Sequence, residues 1–241
     1  MIDKLFKHIK STPGSFTFNE EVASVFDDMA DRSIPCYREH QFLLAACALH
    51  YYKKNTLLYD LGCSTGNTIR AIEALLNQEL YTYSFPSITA IDKSPAMIEI
   101  AKRKCSHLVV DWQIEDIKEV VFKPASVIIA SYVLQFVSPE AREKMIADMY
   151  AALISQGTLI LSEKIYWENT AFDTDMKTHY YNYKRIKGYS ENEIKQKETA
   201  LQKVLVPFKK EDYLNILSQC GFSTIEIIFS YFNFITILAI K

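Results

Sequence analysis

The sequence contains no C-x-x-C pair. Its five cysteines, Cys36, Cys47, Cys63, Cys105 and Cys220, are odd in number and scattered, which argues against a disulfide framework or a zinc site. A reducing cytoplasm is the simplest compartment, and no metal site is expected. The five histidines are equally dispersed. No apolar run reaches membrane-spanning length, and the N-terminus lacks the apolar core of a signal peptide. Neither sign of charge dominates: 27 Lys and Arg stand against 29 Asp and Glu, which excludes a strongly basic nucleic-acid binder. Repeats, low-complexity tracts and long linkers are also missing. What is present is a chain of 241 residues with 49% hydrophobic content, enough for one sizeable core. One α/β domain over residues 1–241 is expected, with helical decoration.

One stretch organises the rest. Leu57-Leu58-Tyr59-Asp60-Leu61-Gly62-Cys63-Ser64-Thr65-Gly66-Asn67-Thr68 opens with an apolar run, puts Asp60 near its end and then supplies two glycines. Helix-compatible residues Ile69 to Leu76 follow, so the stretch reads as strand, turn, helix. Gly62 and Gly66 let the backbone turn sharply and approach a ligand. The pattern is Asp-Leu-Gly-x-x-x-Gly, not the Gly-x-Gly-x-x-Gly of dinucleotide binders. Further on, Ser87-Ile88-Thr89-Ala90-Ile91-Asp92 reads as a second strand ending in an acid. Its distance from the glycine turn is near the ~20 residues at which a βαβ unit places a ribose-binding carboxylate. A helix cap is the alternative, because Asp92 and Ser94 immediately precede Pro95.

Strands are predicted at about 57–61, 87–91, 108–113, 126–131 and 157–162, with helices between them, and Gln156-Gly157 as a turn before the fifth. That alternation implies a mainly parallel sheet covered on both faces. Two alternating runs, Thr224 to Phe229 and Phe232 to Ile240, suggest a closing strand pair. Residues 1–53 read as a helical cover. Within it are an amphipathic helix over Met1 to Lys10, a break at Ser11 to Gly14, and a helix capped by Asn19 with Val22, Val25, Phe26 and Met29 inward. A longer helix from Arg38 to Tyr52 carries Phe42, Leu43, Ala46, Ala48 and Leu49 toward the core. Residues 166–207 read as a helical lid in two pieces, the second capped by Ser190 with Glu193 completing a capping box. Both covers belong over the C-terminal edge of the strands, where open α/β sheets bind ligands.

Glu115-Asp116-Ile117 follows the third strand, with Asp116 a reader of an adenine amino group or a solvated loop acid. Ser131 and Tyr132 follow the fourth, and Tyr132 and Phe136 have core packing as their plainer role. Tyr180, Tyr181 and Tyr183 stand at helical spacing. They either pack the lid or present an aromatic face to a cation, which gains roughly 0.5–2 kcal/mol over a ring. His179 reads as structural.

The glycine turn resembles the first motif of class I S-adenosylmethionine (SAM) enzymes, and the whole chain resembles the bacterial carboxy-S-adenosylmethionine synthases. The resembling stretches include Phe18 to Met29, Arg32-Ser33-Ile34-Pro35, Asp60 to Ser64, Leu134-Gln135-Phe136, Ser162-Glu163-Lys164, Tyr183-Lys184-Arg185 with Gly188-Tyr189-Ser190, Gln196-Lys197, and Val204 to Pro207. The resemblance implies a class I SAM-dependent methyltransferase fold, Rossmann-like, with a mainly parallel sheet, a C-terminal antiparallel pair and a helical cover. It implies conversion of SAM and prephenate into carboxy-SAM, which a partner enzyme uses on a tRNA wobble uridine. A homodimer is implied, with no direct contact to nucleic acid or membrane. The expected cofactor residues are Tyr37, Asp60, Gly62, Cys63, Ser64, Gly66, Asp92, Lys93, Asp116, Ile117 and Ser131, and the expected catalytic residues are Tyr132, Tyr180, Tyr181 and Glu198.

The chain departs from the family at two of these positions. Ser131 replaces an Asn, and Glu198 replaces the Arg that binds the added carboxylate. Arg is a bidentate, permanently charged clamp, whereas Glu repels a carboxylate. Glu198 alone therefore predicts that carboxy-SAM binds no more tightly than SAM, unless a neighbouring base such as Lys195 or Lys197 intervenes. Methyl transfer to a small molecule, another SAM reaction such as intramolecular cyclisation, and a non-enzymatic SAM-sensing role are the competing readings.

Overall fold

The computed structural model describes residues 3, 5, 16–78, 84–202 and 204–241. Apart from Asp3 and Leu5, the expected helix over Met1 to Lys10 and the break after it lie outside the described residues. Among these, the elements run α1 (Glu20–Ser33), α2 (Tyr37–Tyr51), β1 (Leu57–Leu61), α3 (Asn67–Leu76), β2 (Ile88–Asp92), α4 (Pro95–Lys104), β3 (Val110–Ile114), β4 (Ala125–Ser131), α5 (Pro139–Ala152) and β5 (Leu153–Tyr166). They continue with α6 (Thr170–Ile186), α7 (Glu191–Leu201), β6 (Phe208–Lys209), α8 (Lys210–Cys220), β7 (Thr224–Tyr231) and β8 (Phe234–Ile240).

The sheet order is β3-β2-β1-β4-β5-β8-β7, with the short β6 beside the end of β5. β1 to β5 pair in parallel, and β8 runs antiparallel to both β5 and β7. The pleat sends alternate residues to opposite faces. Leu58, Val127, Ile129 and Ile160 pack with Leu44, Ala48 and Leu49 of α2 and Ile69 and Ile72 of α3. Tyr59, Leu61, Ile128 and Leu159 pack instead with Met145, Ile146 and Met149 of α5 and Leu217 of α8. Each fully buried Leu or Ile contributes roughly 1.5–3 kcal/mol, so both helical layers are fixed by the central strands. A third cluster joins Val22, Ala23 and Met29 of α1 to Met97 of α4 and Ala200 of α7. This cluster seats the N-terminal cover and the lid together.

Three expectations need correction. Phe42 does not point to the core: it is 51% exposed, while Leu44, Ala45, Ala48 and Leu49 of the same helix are buried. Gln156-Gly157 does not precede the fifth strand but lies within it. Gln156 takes φ 62°, and the chain's last residue satisfies the kink, since Gln156 N–H donates to the Lys241 carbonyl and Lys241 N–H to that of Gly157. The strand also continues past residue 162 to Tyr166. α2 starts at Tyr37, one residue before the expected Arg38.

The strand order reverses between β1, which leads outward through β2 to β3, and β4, which leads to β5. Ligands of open α/β sheets bind at such a reversal, beyond the C-terminal strand ends.

Candidate active site

Beyond those ends lies a cavity of about 570 Å³, a size suited to a small ligand. Its first wall is the glycine turn. Gly62 has φ +67°, and a Cβ there would fall 2.6 Å from Val133 Cγ2, so no side chain fits. Ser64 N–H donates to Asp92 Oδ2 and Ser94 N–H to Asp92 Oδ1, each at 2.9 Å. Ser94, not Asp92, caps α4, through Met97 N–H. Each Asp92 oxygen accepts one backbone bond and keeps a second lone pair for a ligand. Burial raises the pKa of Asp92 against the pull of these amide bonds. Asp60 is pushed up to about 7, by burial and then by the Asp92 charge. Its Oδ2 is buried with no hydrogen-bond partner among the described residues. Asp116 accepts from Lys118 N–H in its own loop at 3.0 Å and still lines the cavity with Ile117.

The N-terminal cover is latched onto this turn. Asp27 accepts from Thr65 Oγ1, Asn67 Nδ2 and Lys104 Nζ, and Asn67 Nδ2 also donates to the Tyr37 hydroxyl at 3.0 Å. Burial opposes the Asp27 charge, but these donors outweigh it and hold the pKa below the usual value.

The opposite wall comes from the ends of β4 and β5 and from the lid. Tyr132, at φ 57°, packs its ring against His40 and Phe234. Its hydroxyl is buried without a hydrogen-bond partner among the described residues. The Tyr180 hydroxyl donates to the Ser33 carbonyl at 2.9 Å, and the Tyr181 hydroxyl donates to the Glu198 carboxylate. Lys164 and Lys184 place their ammonium groups 5.0 and 5.4 Å from the Tyr180 ring centre. Lys197 Nζ donates to Ser33 Oγ at 2.8 Å. Burial is the main cause that lowers Lys164 and Lys184 to about 8 and Lys197 to about 7. Lys164 is held in place by its own N–H, which donates to Gln135 Oε1. Next to it, buried Glu163 takes Leu134 N–H and the Tyr213 hydroxyl and braces the tip of β5.

Of the predicted site residues, Tyr37, Asp60, Gly62, Cys63, Ser64, Asp92, Lys93, Asp116, Ile117, Ser131, Tyr132, Tyr180, Tyr181 and Glu198 all line this one cavity. Gly66 does not. Its positive φ starts α3, and a Cβ there would meet Ala101, Cys105 Sγ and Trp112 at 3.3–3.4 Å, so it serves the packing of α4 and β3 behind the turn. Lys195 is exposed and His179 stacks on Phe232; neither lines the cavity. Lys164 and Lys184 are lining residues that the sequence reading did not single out. The available signal was a lysine just past the apolar core of a strand, and a second one a helical turn beyond Tyr180.

A small-molecule cavity with acids at the strand ends, a glycine turn that excludes side chains and a helical cover defines a class. Residues 58–157 match the family described as "Methyltransferase domain". The solved human N-acetylserotonin methyltransferase in complex with SAM superposes with a TM-score of 0.61 at 17% identity, over 92% of this chain and 55% of that one. Magnesium protoporphyrin IX methyltransferase from Synechocystis with bound SAH gives 0.59 at 16% identity, over 95% and 90%. These likenesses show the fold. The protein is thus a SAM-dependent transferase of the class I, Rossmann-like methyltransferase fold. Two curated relatives narrow this further. The carboxy-S-adenosyl-L-methionine synthases of Sulfurimonas denitrificans and Helicobacter pylori are 37% and 39% identical to the chain, each over 100% of both sequences. The chain belongs to the carboxy-S-adenosyl-L-methionine synthase family.

The cavity fits the cofactor SAM. Its unpartnered Asp60 oxygen suits a cationic ligand, and Asp92 keeps lone pairs free for hydroxyl donors. Among the described residues, no helix is long and apolar enough to cross a membrane, and no cluster of potential metal ligands is found.

Proposed function

We propose that the protein makes carboxy-SAM from SAM and prephenate, and that its product serves modification of a tRNA wobble uridine by a partner enzyme. The observation that carries this reading is kinship at 37% over the entire chain, both helical covers included. SAM supplies a sulfonium, which makes its neighbouring carbons electrophilic and their protons acidic. Asp92 takes the ribose hydroxyls, Asp116 and Ile117 hold the adenine, and Asp60, Ser64 and Tyr37 fix the methionyl end. Cys63, Lys93 and Ser131 complete that surface. Tyr132, with its unpartnered hydroxyl, and Tyr180 face the reacting carbon. The two covers exclude water, which strengthens every charge interaction inside. The protein acts as a homodimer in this reading, as light scattering would show.

Methyl transfer is the second reading, and one observation favours it. Glu198, in the place of the family's arginine, reaches the cavity with its carboxylate bound to Tyr181. Mass spectrometry of purified protein with SAM, with and without prephenate, separates the readings. Carboxy-SAM that depends on prephenate supports the first. S-adenosylhomocysteine formed with an acceptor supports the second, and methylthioadenosine would indicate cyclisation instead.

A further inference from the structure

Two buried lysines, Lys184 and Lys197, and the half-buried Lys164 line one wall of the cavity, from three different elements. Lys164 comes from the tip of β5, Lys184 from α6 and Lys197 from α7, and all three line the cavity. Lys197 is tied to Ser33 Oγ. Lys164 and Lys184 form no ion pair or hydrogen bond through their ammonium groups with any described residue; each has only the faces of tyrosine rings, Tyr180 for both and Tyr189 for Lys184. A buried cation without a partner is costly, and three that repel one another are costlier. The nearby acids do not account for the arrangement. Glu198 is engaged by Tyr181, and Asp3 accepts from the Tyr189 hydroxyl and caps its own turn at Leu5 N–H. Cations that open onto a cavity in this way are arranged for an anion carried by a ligand.

We propose that Lys164, Lys184 and Lys197 form a carboxylate subsite that takes over the task of the family's arginine, and that its occupant is a ligand carboxylate beyond the one on the amino-acid end of SAM. The proposal rests on the carboxy-SAM reading above and deepens it. The opposite wall supports it. Asp60, Asp92 and Asp116 line the same cavity and would repel an anion, so an anionic ligand group is left to the lysines. Lysine suits the task, since an ammonium on a flexible stem can follow a carboxylate that arrives on one molecule and leaves on another. The carboxylate has two sources, the added group of carboxy-SAM or a carboxylate of prephenate. The lysine proviso attached to Glu198 is thereby met by Lys197 and by two lysines that sequence reasoning passed over, and not by Lys195.

The test is calorimetric binding of SAM, of carboxy-SAM, and of prephenate to the SAM-saturated protein, in the wild type, Lys184→Met, Lys197→Met and the double variant. Lys184→Gln is kept in reserve, and circular dichroism confirms folding throughout. The expected result is a wild type that prefers carboxy-SAM to SAM by at least tenfold. The double variant loses at least tenfold on carboxy-SAM, on prephenate or on both, while SAM changes by less than twofold. A loss confined to one of the two ligands names the source. Folded variants that bind both carboxylate ligands as the wild type does overturn the proposal, and so does an equal loss on SAM itself. A wild type that binds no SAM would instead overturn the functional reading.

Discussion

The two long walls of the cavity carry opposite charge and are built in opposite ways. The acid wall sits at the ends of β1, β2 and β3, where Asp92 is fixed by the amides of Ser64 and Ser94 and Asp116 by that of Lys118. The lysine wall has no such local frame. Lys164, Lys184 and Lys197 come from separate elements and rest on aromatic rings. Burial raises Asp60 and Asp92 and lowers the lysines, because a low dielectric disfavours either charge. Each wall is therefore poised to gain from a ligand group of the other sign. The difference teaches that this cavity is shaped for a ligand with separated charges, not for a uniformly cationic one.

The largest expected effect comes from removing an acid. Asp92→Ala should weaken SAM binding by roughly 1.5–3 kcal/mol, the worth of a hydrogen bond to a charged group, and leave the protein folded. Calorimetry on the folded variant checks this, and an unchanged affinity would show that the acid wall is not where the ribose binds.

A smaller effect tests both walls at once through protons. A cation bound beside Asp60 lowers its pKa from about 7, so SAM binding near neutral pH should release protons. A carboxylate bound beside Lys197, near 7, and Lys164 and Lys184, near 8, raises theirs, so replacing SAM by carboxy-SAM at pH 7.5–8 should take protons up. The charged groups around the lysines are Glu198, Asp3, Asp173, Arg32 and Lys177, and none of them reverses that sign. Binding enthalpies in buffers of different ionisation heat give the proton count for each ligand. Proton release on the exchange would contradict a carboxylate on the lysine wall.

The smallest effect concerns the frame of the lid. Ser190 and Glu193 close a capping box at the start of α7, so Ser190→Ala should cost about 1 kcal/mol of stability, read as a lowered denaturation midpoint. Affinity for SAM should stay within twofold, because the acid wall does not rest on α7.

The acid wall was legible in the sequence because its determinants are local. Gly62, Asp92 and Asp116 each sit within a few residues of a strand end, and period-2 apolar runs locate strand ends well. The second lid helix was legible through Ser190 and Glu193, which act on their own helical turn. The lysine wall was not. Nothing near Lys164 or Lys184 in the chain says that the two side chains share one aromatic ring, since Tyr180 lies on α6 and Lys164 on β5. Phe42 was misread for a related reason. Phe42 shares a helix face with buried Leu49, and spacing alone does not say how far along α2 the packed surface extends. Gly66 shows the converse, a correct reading of backbone need and a misplaced idea of what the glycine faces.

The two covers are fastened to each other as well as to the sheet. The end of α1 receives Tyr180 and Lys197 at Ser33 and Tyr183 at Ile34, and Arg32 reaches across to the Lys187 carbonyl. Neither cover can lift alone without breaking these bonds, so the two should open together. A ligand held beneath one cover should then leave only when both open. Amide hydrogens at the end of α1 and along α6 should accordingly exchange with solvent at one common rate, slowed together when either ligand is bound.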